Sequence, residues 1–177
     1  ELGWSESTVR GWVKPATNTD HTPISVSDSA VAGIDEFLLW CDQLATGKRV
    51  DFRATSPTDA RTTGSYADNV WSHMAGTAVS ATERYAWLDG VQSGVNAVSS
   101  VPVSLDRIGV GARAFDPAAL FLNGMLLWPT IWRVGLTADE MYVLSRGLDP
   151  LRMRRGEIVF HSRMLSSADA IDLIGGL

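Results

Sequence analysis

His73 stands in the run WSHMA, and an imidazole in such a run can in principle hold a metal or carry a proton. Either task needs partners at set spacing. His21 and His161 are far away in the chain, and no HxxxH or HExxH pattern is present. If Val70–Val79 is extended, Trp71, His73 and Ala75 share one face and Val70 and Met74 the other. The histidine then reads as a hydrogen-bonded interior side chain in a structural hairpin closed by the Asp89-Gly90 turn. Glycosidic hydrolysis would need two carboxylates held roughly 5–9 Å apart across the scissile bond. On a strand, an E-x-D-x-x-E run would supply them from one face, and the chain has none. Asp35 and Glu36 point to opposite faces, and Asp139 and Glu140 belong to a helix start. No G-x-S-x-G elbow, phosphate-binding loop or cysteine-nucleophile context occurs. The expectation is a non-enzyme with no catalytic residues.

Two other groups of side chains suggest binding. The seven tryptophans Trp4, Trp12, Trp40, Trp71, Trp87, Trp128 and Trp132 invite sugar stacking, although aromatics equally fill cores and protein interfaces. Trp12 and Trp87 are the candidates for a glycan-facing surface, because each opposes a more conventional core face on its strand. The run RMRR brings together Arg152, Arg154 and Arg155 as a candidate contact for an acidic partner through bidentate hydrogen bonds.

Composition narrows the field. A net charge of -5 over 177 residues gives no concentrated positive charge for nucleic acid. Cys41 is the only cysteine, so no intrachain disulfide is possible. No apolar run approaches the roughly 20 residues that span a bilayer, and no signal-peptide pattern is seen. The chain opens on Glu1 and stops after DLIGGL, which suggests a processed chain or a piece of a larger one.

The elements that must position these residues are mostly strands. KRVDFRATS alternates, with Val50, Phe52 and Ala54 on one face and Arg49, Asp51 and Arg53 on the other. STVRGWVKP sets Val9, Gly11 and Val13 against Thr8, Arg10, Trp12 and Lys14. EFLLWCD is apolar on both faces, as a central strand should be. Further strands are expected at Thr22–Ser27, Val70–Val79, Arg84–Leu88, Val101–Leu105, Arg107–Gly111, Leu126–Val134 and Glu157–Met164. Turn signals lie between them at Asn18-Thr-Asp20, Thr46-Gly47, Ser56-Pro57, Asp89-Gly90 and Asn123-Gly124. Such spacing, roughly ten residues per strand, indicates an antiparallel sandwich or barrel. One helix follows: Thr137 is the N-cap, Glu140 completes a capping box and Gly147 marks the stop. A second short helical turn, capped at Ser166 or Ser167, or a plain loop, follows near the end.

In order along the chain, STVRGWVKP (Ser7–Pro15), WSHMA (Trp71–Ala75), YAWLDG (Tyr85–Gly90), RIGVG (Arg107–Gly111) and FLNGMLLWPTIWRVGLTADEMYVLSRG (Phe121–Gly147) resemble the laminin-G-like and pentraxin-like branch of the concanavalin A-like sandwich family. The resemblance implies an all-β fold, a two-sheet antiparallel jelly roll with one short helix near the C-terminus. Residues 1–150 would form the jelly-roll domain and 151–177 a strand and tail returning to it. GLDPLRMRRGEIVFH, from Gly147 to His161, is similar to a tail in laminin-G-like segments of phage structural proteins. That likeness implies a non-catalytic attachment module in a virion, binding neighbouring particle proteins as part of a homo-oligomer. A lectin-like domain for host-surface glycans is the alternative, and a glycosidase comes third. Family members often carry a calcium ion, which wants six to eight oxygens. Asp20, Asp28, Asp35, Asp89 and Asp116 are loose candidates, but none sits in a D-x-D-x-D loop, so no required metal is expected.

Overall fold

The computed structural model describes residues 5–16, 20–28, 35–43, 47–55, 59–114 and 118–164. Trp4, Asp116, the Asn18, Thr46 and Ser56-Pro57 turn residues and the helical turn at Ser166 or Ser167 lie outside the described residues. The strands are β1 (Ser7–Pro15), β2 (His21–Ser27), β3 (Glu36–Asp42), β4 (Arg49–Ala54), β5 (Asp59–Arg61), β6 (Ser72–Ser80), β7 (Glu83–Leu88), β8 (Val91–Gln92), β9 (Arg107–Val110), β10 (Gly124–Trp132) and β11 (Ile158–His161). They form two antiparallel sheets, one of six strands ordered β11-β10-β1-β6-β7-β8 and one of five ordered β5-β4-β3-β2-β9. β3, apolar on both faces, is the middle strand of its sheet, as its sequence demands.

Period-two alternation directs one set of side chains between the sheets. Val9 and Val13 of β1, Ile24 and Val26 of β2, Phe37 and Leu39 of β3, Val50 and Phe52 of β4 and Met74 and Ala78 of β6 form that core. A second apolar layer lies on the far side of the six-stranded sheet. There Ala75, Trp87 and Trp132 pack against Leu136, Met141, Leu144 and Ile158. The helix α1 (Ala138–Ser145) supplies Met141 and Leu144 to this layer. One outer face of the sandwich is therefore closed by a helix and the connector that follows it.

The capping box read from TADE is formed. Thr137 accepts from the Glu140 backbone N–H, and the Glu140 carboxylate accepts from the Thr137 N–H at 2.8 Å. Thr137→Ala removes an acceptor at the helix start and should cost about 1 kcal/mol in thermal or urea unfolding. An unchanged midpoint would mean that packing of Met141 and Leu144 alone holds the helix.

One expected strand needs correction. No strand runs over Val101–Leu105. Those residues belong to a strap between β8 and β9 whose Asn96 bonds to Arg84 of β7 and to Asp59 of β5, one strand from each sheet. The buried Arg84 guanidinium holds this strap by donating to the Val98 carbonyl at 2.7 Å and to the Asn96 side-chain oxygen at 2.9 Å. Pro102, with no N–H to donate, also disfavours pairing there. β5 and β8 were not expected, because three and two residues are too few to display a period.

Candidate functional site

The second outer face belongs to the five-stranded sheet, and no helix among the described residues lies over it. Alternation on β3, β4 and β5 sends Glu36, Trp40 and Asp42, then Arg49, Asp51 and Arg53, then Asp59 and Arg61, to this side. Arg113 reaches in from the loop after β9, whose backbone is pinned when Ser25 Oγ donates to the Ala112 carbonyl at 3.0 Å.

These side chains form a lattice of guanidinium–carboxylate pairs. Arg53 donates from Nε to Asp59 Oδ1 at 2.7 Å and from Nη2 to Asp59 Oδ2 at 3.0 Å. Arg61 grips Asp51 through Nε at 2.8 Å and Nη2 at 2.6 Å, and the same Nη2 reaches Asp42 Oδ2 at 2.6 Å. Arg113 closes on Glu36 through Nε at 2.7 Å and Nη2 at 2.5 Å. Burial pushes the Asp51 carboxyl up from its ordinary range, and the bonds from Arg61 oppose that rise. The same aspartates hold the Arg61 guanidinium more firmly protonated than usual.

Trp40 is the aromatic member of this face. The Arg53 guanidinium lies 4.8 Å from its ring centroid, a cation–π contact that covers one ring face. The ring is otherwise half-buried, and its indole N–H has no hydrogen-bond partner among the described residues. A partly exposed aromatic ring beside fixed carboxylates and guanidinium N–H groups suits a hydroxyl-rich ligand.

Trp12 and Trp87 are not brought together as a binding groove. Both lie on the covered side of the six-stranded sheet, on β1 and β7 with β6 between them. Trp87 is 2% exposed, and its indole N–H donates to Thr77 Oγ1 at 3.0 Å. The expectation of a sugar-facing Trp87 is thus corrected, because α1 and its connector bury the face that strand alternation pointed outward. Trp12 is half-buried, with its ring edge-on to His73 at 5.6 Å between centroids.

His73 is interior, as expected, but it is not hydrogen-bonded through its ring. It has 0% exposure, and neither ring nitrogen has a partner among the described residues. Arg152, Arg154 and Arg155 are exposed in the two short 3-10 turns after α1. Arg154 is paired, donating from Nε to Glu140 Oε1 at 2.6 Å.

Three of the calcium candidates have backbone partners. Asp20 Oδ1 accepts from the Gln43 backbone N–H, Asp35 Oδ1 from that of Val103 and Asp89 Oδ1 from that of His73. Among the described residues, no three His, Cys, Asp or Glu side chains are grouped to hold a metal. No described helix is long and apolar enough to cross a membrane.

The arginine lattice was missed from sequence apart from the outward set on β4. Arg61 and Arg113 carry no motif, and Glu36 was read only against its neighbour Asp35.

A family model described as the concanavalin A-like lectin/glucanases superfamily matches residues 2–141. No curated protein matches by sequence. Among solved structures, a Bacteroides ovatus protein assigned a carbohydrate-binding role superposes with a TM-score of 0.69 at 14% identity, over 93% of this chain and 46% of that one. This chain thus spans about half the length of that relative. Domain 4 of a GH43 extracellular arabinanase from Geobacillus stearothermophilus, solved with arabinotriose, gives 0.65 at 17% identity, covering 81% of this chain and 68% of that one. The CBM40 module of a Ruminococcus gnavus sialidase, bound to α2,3-sialyllactose, gives 0.65 at 12% identity over 81% and 84%. At these identities the likeness is one of fold.

Proposed function

Because the chain belongs to the concanavalin A-like lectin/glucanases superfamily, we propose that it is a lectin-like, non-catalytic module that binds glycan on the outer face of its five-stranded sheet. One observation carries this reading. With the other outer face closed by α1, this face presents half-buried Trp40 beside a fixed lattice of arginines and carboxylates. Two structural relatives solved with arabinotriose and with sialyllactose support it.

A non-catalytic role is supported by the acids themselves. Asp42 Oδ2 and Asp51 Oδ2 each lie 2.6 Å from one Arg61 nitrogen, so the two oxygens are close enough for a glycosidase pair. Both are engaged by that arginine, and Asp51 has no exposed surface with which to meet a substrate.

The test is a glycan array with purified protein. Trp40→Ala should weaken binding about tenfold or more, equivalent to about 1.4 kcal/mol, through lost ring contact. Trp12→Ala, on the opposite side, should leave binding unchanged. The reverse pattern would move the site to the six-stranded sheet.

Attachment to a protein partner is a second reading, and the virion setting and homo-oligomeric assembly belong to it. It is favoured by the exposed Arg152 and Arg155 and by exposed Tyr142 with the Arg146 guanidinium 4.9 Å from its ring centroid. Such a surface suits an acidic partner.

A further inference from the structure

Resting on the glycan-binding reading above, we infer that the five-stranded face takes neutral, hydroxyl-rich glycans and discriminates against sugars that carry a carboxylate. A sugar carboxylate is held best by a guanidinium whose fork is open to accept it side-on. On this face three of the four forks are closed. Arg53 presents Nε and Nη2 to Asp59, Arg61 presents Nε and Nη2 to Asp51, and Arg113 presents Nε and Nη2 to Glu36. Asp42 is a fourth carboxylate, drawn onto Arg61.

With Arg49 the face carries four guanidinium charges against four carboxylates, so it has no net positive charge to draw an acidic sugar. Arg61, the most exposed of the three closed arginines with 44% of its side chain accessible, is the one that carries two aspartates. An incoming acidic sugar therefore meets, at the most accessible of these three cations, a guanidinium already held by two carboxylates. To bind it would have to displace Asp51, which lies at 0% exposure and would be left in a dry site without its counter-ion. The remaining cation on β4, Arg49, stands at the strand's start and directs Nη1 to the Thr62 carbonyl at 3.4 Å.

Sugar hydroxyls make no such demand. A carboxylate already bridged by a guanidinium keeps lone pairs that accept O–H donors. Asp42 and Asp59, with 5% and 16% of their side chains exposed, are the acids with surface to do so. The face is thus built to receive hydroxyl hydrogens while three of its four cations stay committed.

The experiment is calorimetric titration of the whole chain with arabinotriose, lactose and 3′-sialyllactose, at low and at high salt. Lactose and its sialylated form share one core, so their ratio isolates the acidic sugar. The expected result is binding of at least one neutral sugar, with affinity changing less than about twofold between salts, and no gain from sialylation. Asp59→Ala opens the Arg53 fork and should raise the sialyllactose-to-lactose affinity ratio about tenfold. Wild-type protein that prefers sialyllactose, with affinity falling as salt rises, would overturn this inference and leave the glycan-binding reading intact. A ratio unmoved by Asp59→Ala in a folded variant would also count against it. Folded protein blank towards all three sugars and towards a glycan array would remove the glycan-binding reading itself, and this inference with it.

Discussion

Gly76→Ala is expected to destabilise the fold by about 3 kcal/mol or more, a large share of the 5–15 kcal/mol typical of a domain. Gly76 sits in the middle of β6 and faces the other sheet across the core. A Cβ built there falls inside the van der Waals envelope of the Phe52 ring atoms Cδ2 and Cγ and lies 2.7 Å from Phe52 Cβ. The ring has little room to yield. It is fully buried and stacks parallel on Phe37, with centroids 5.9 Å apart and planes inclined by 3°. Its own Cβ is fixed by the backbone, so rotation about the side chain cannot relieve that contact. The sheets would have to part, opening gaps around Val9, Met74 and Ala78 as well. Gly11 makes a useful contrast, since a Cβ there meets the tip of the Leu126 side chain at 2.7 Å. A flexible tip can move, and Gly11→Ala should cost clearly less. Gly94→Ala, with nothing within 4 Å, should change stability by no more than about 0.5 kcal/mol. Urea unfolding of the three variants measures the order. A loss under about 1 kcal/mol for Gly76→Ala would show that the spacing between sheets is adjustable there.

The fold was legible where local pattern and tertiary role coincide. β1 and β3 end where their alternation and flanking residues say they should, and the α1 cap is written in four consecutive residues, TADE. The outward set of β4 was also readable, since Arg49, Asp51 and Arg53 simply alternate with the core. What that set binds was not readable. Arg61 and Asp59 come from a three-residue strand, Glu36 from β3 and Arg113 from a loop, and their meeting depends on strand order. Alternation supplies faces but not neighbours. Trp87 failed for a related reason. Period two assigns it correctly to the outer side of β7, but burial of that side depends on a helix that begins about fifty residues later. The environment of His73 was half legible. Its interior position follows from its apolar neighbours, whereas the lack of a ring partner depends on β1 lying alongside β6.

That environment makes His73 the origin of an acid sensitivity. The ring is fully buried, edge-on to Trp12, and lies near the Arg10 guanidinium across the β1–β6 pair. Burial first, and the Arg10 charge second, hold its pKa well below the ordinary histidine value of 6.5. Arg10 is itself fully buried on this side, donating to the Trp128 carbonyl at 3.2 Å and the Leu144 carbonyl at 3.4 Å. Burial lowers its pKa to about 9, against the pull of Asp149, so the guanidinium remains charged at neutral pH. The Asp89 carboxylate is turned to the His73 backbone N–H rather than to the ring. Well above pH 6.5 the imidazole is neutral in both folded and unfolded chains and adds no pH dependence. Below 6.5 the unfolded chain takes up a proton that the folded protein refuses, so stability falls as pH falls. The slope approaches about 1.4 kcal/mol per pH unit until the depressed folded pKa is reached. Carboxylates titrate in acid as well, and burial pushes Asp51 up from its ordinary range, so the contribution has to be read as a difference. His73→Phe keeps a ring against Trp12 and removes both the titration and two unpartnered polar atoms. The variant should match or exceed wild-type stability at pH 7.5, and the gap should widen as pH falls below 6.5, by up to about 1.4 kcal/mol per pH unit. Parallel stability curves would mean that the folded protein protonates His73 without penalty, by admitting water or by moving Arg10 away. The loss should begin where this layer is held. Arg10 binds the last turn of α1 through Leu144, so a second cation beside it acts on the contact between helix and sheet before it reaches the core between the sheets.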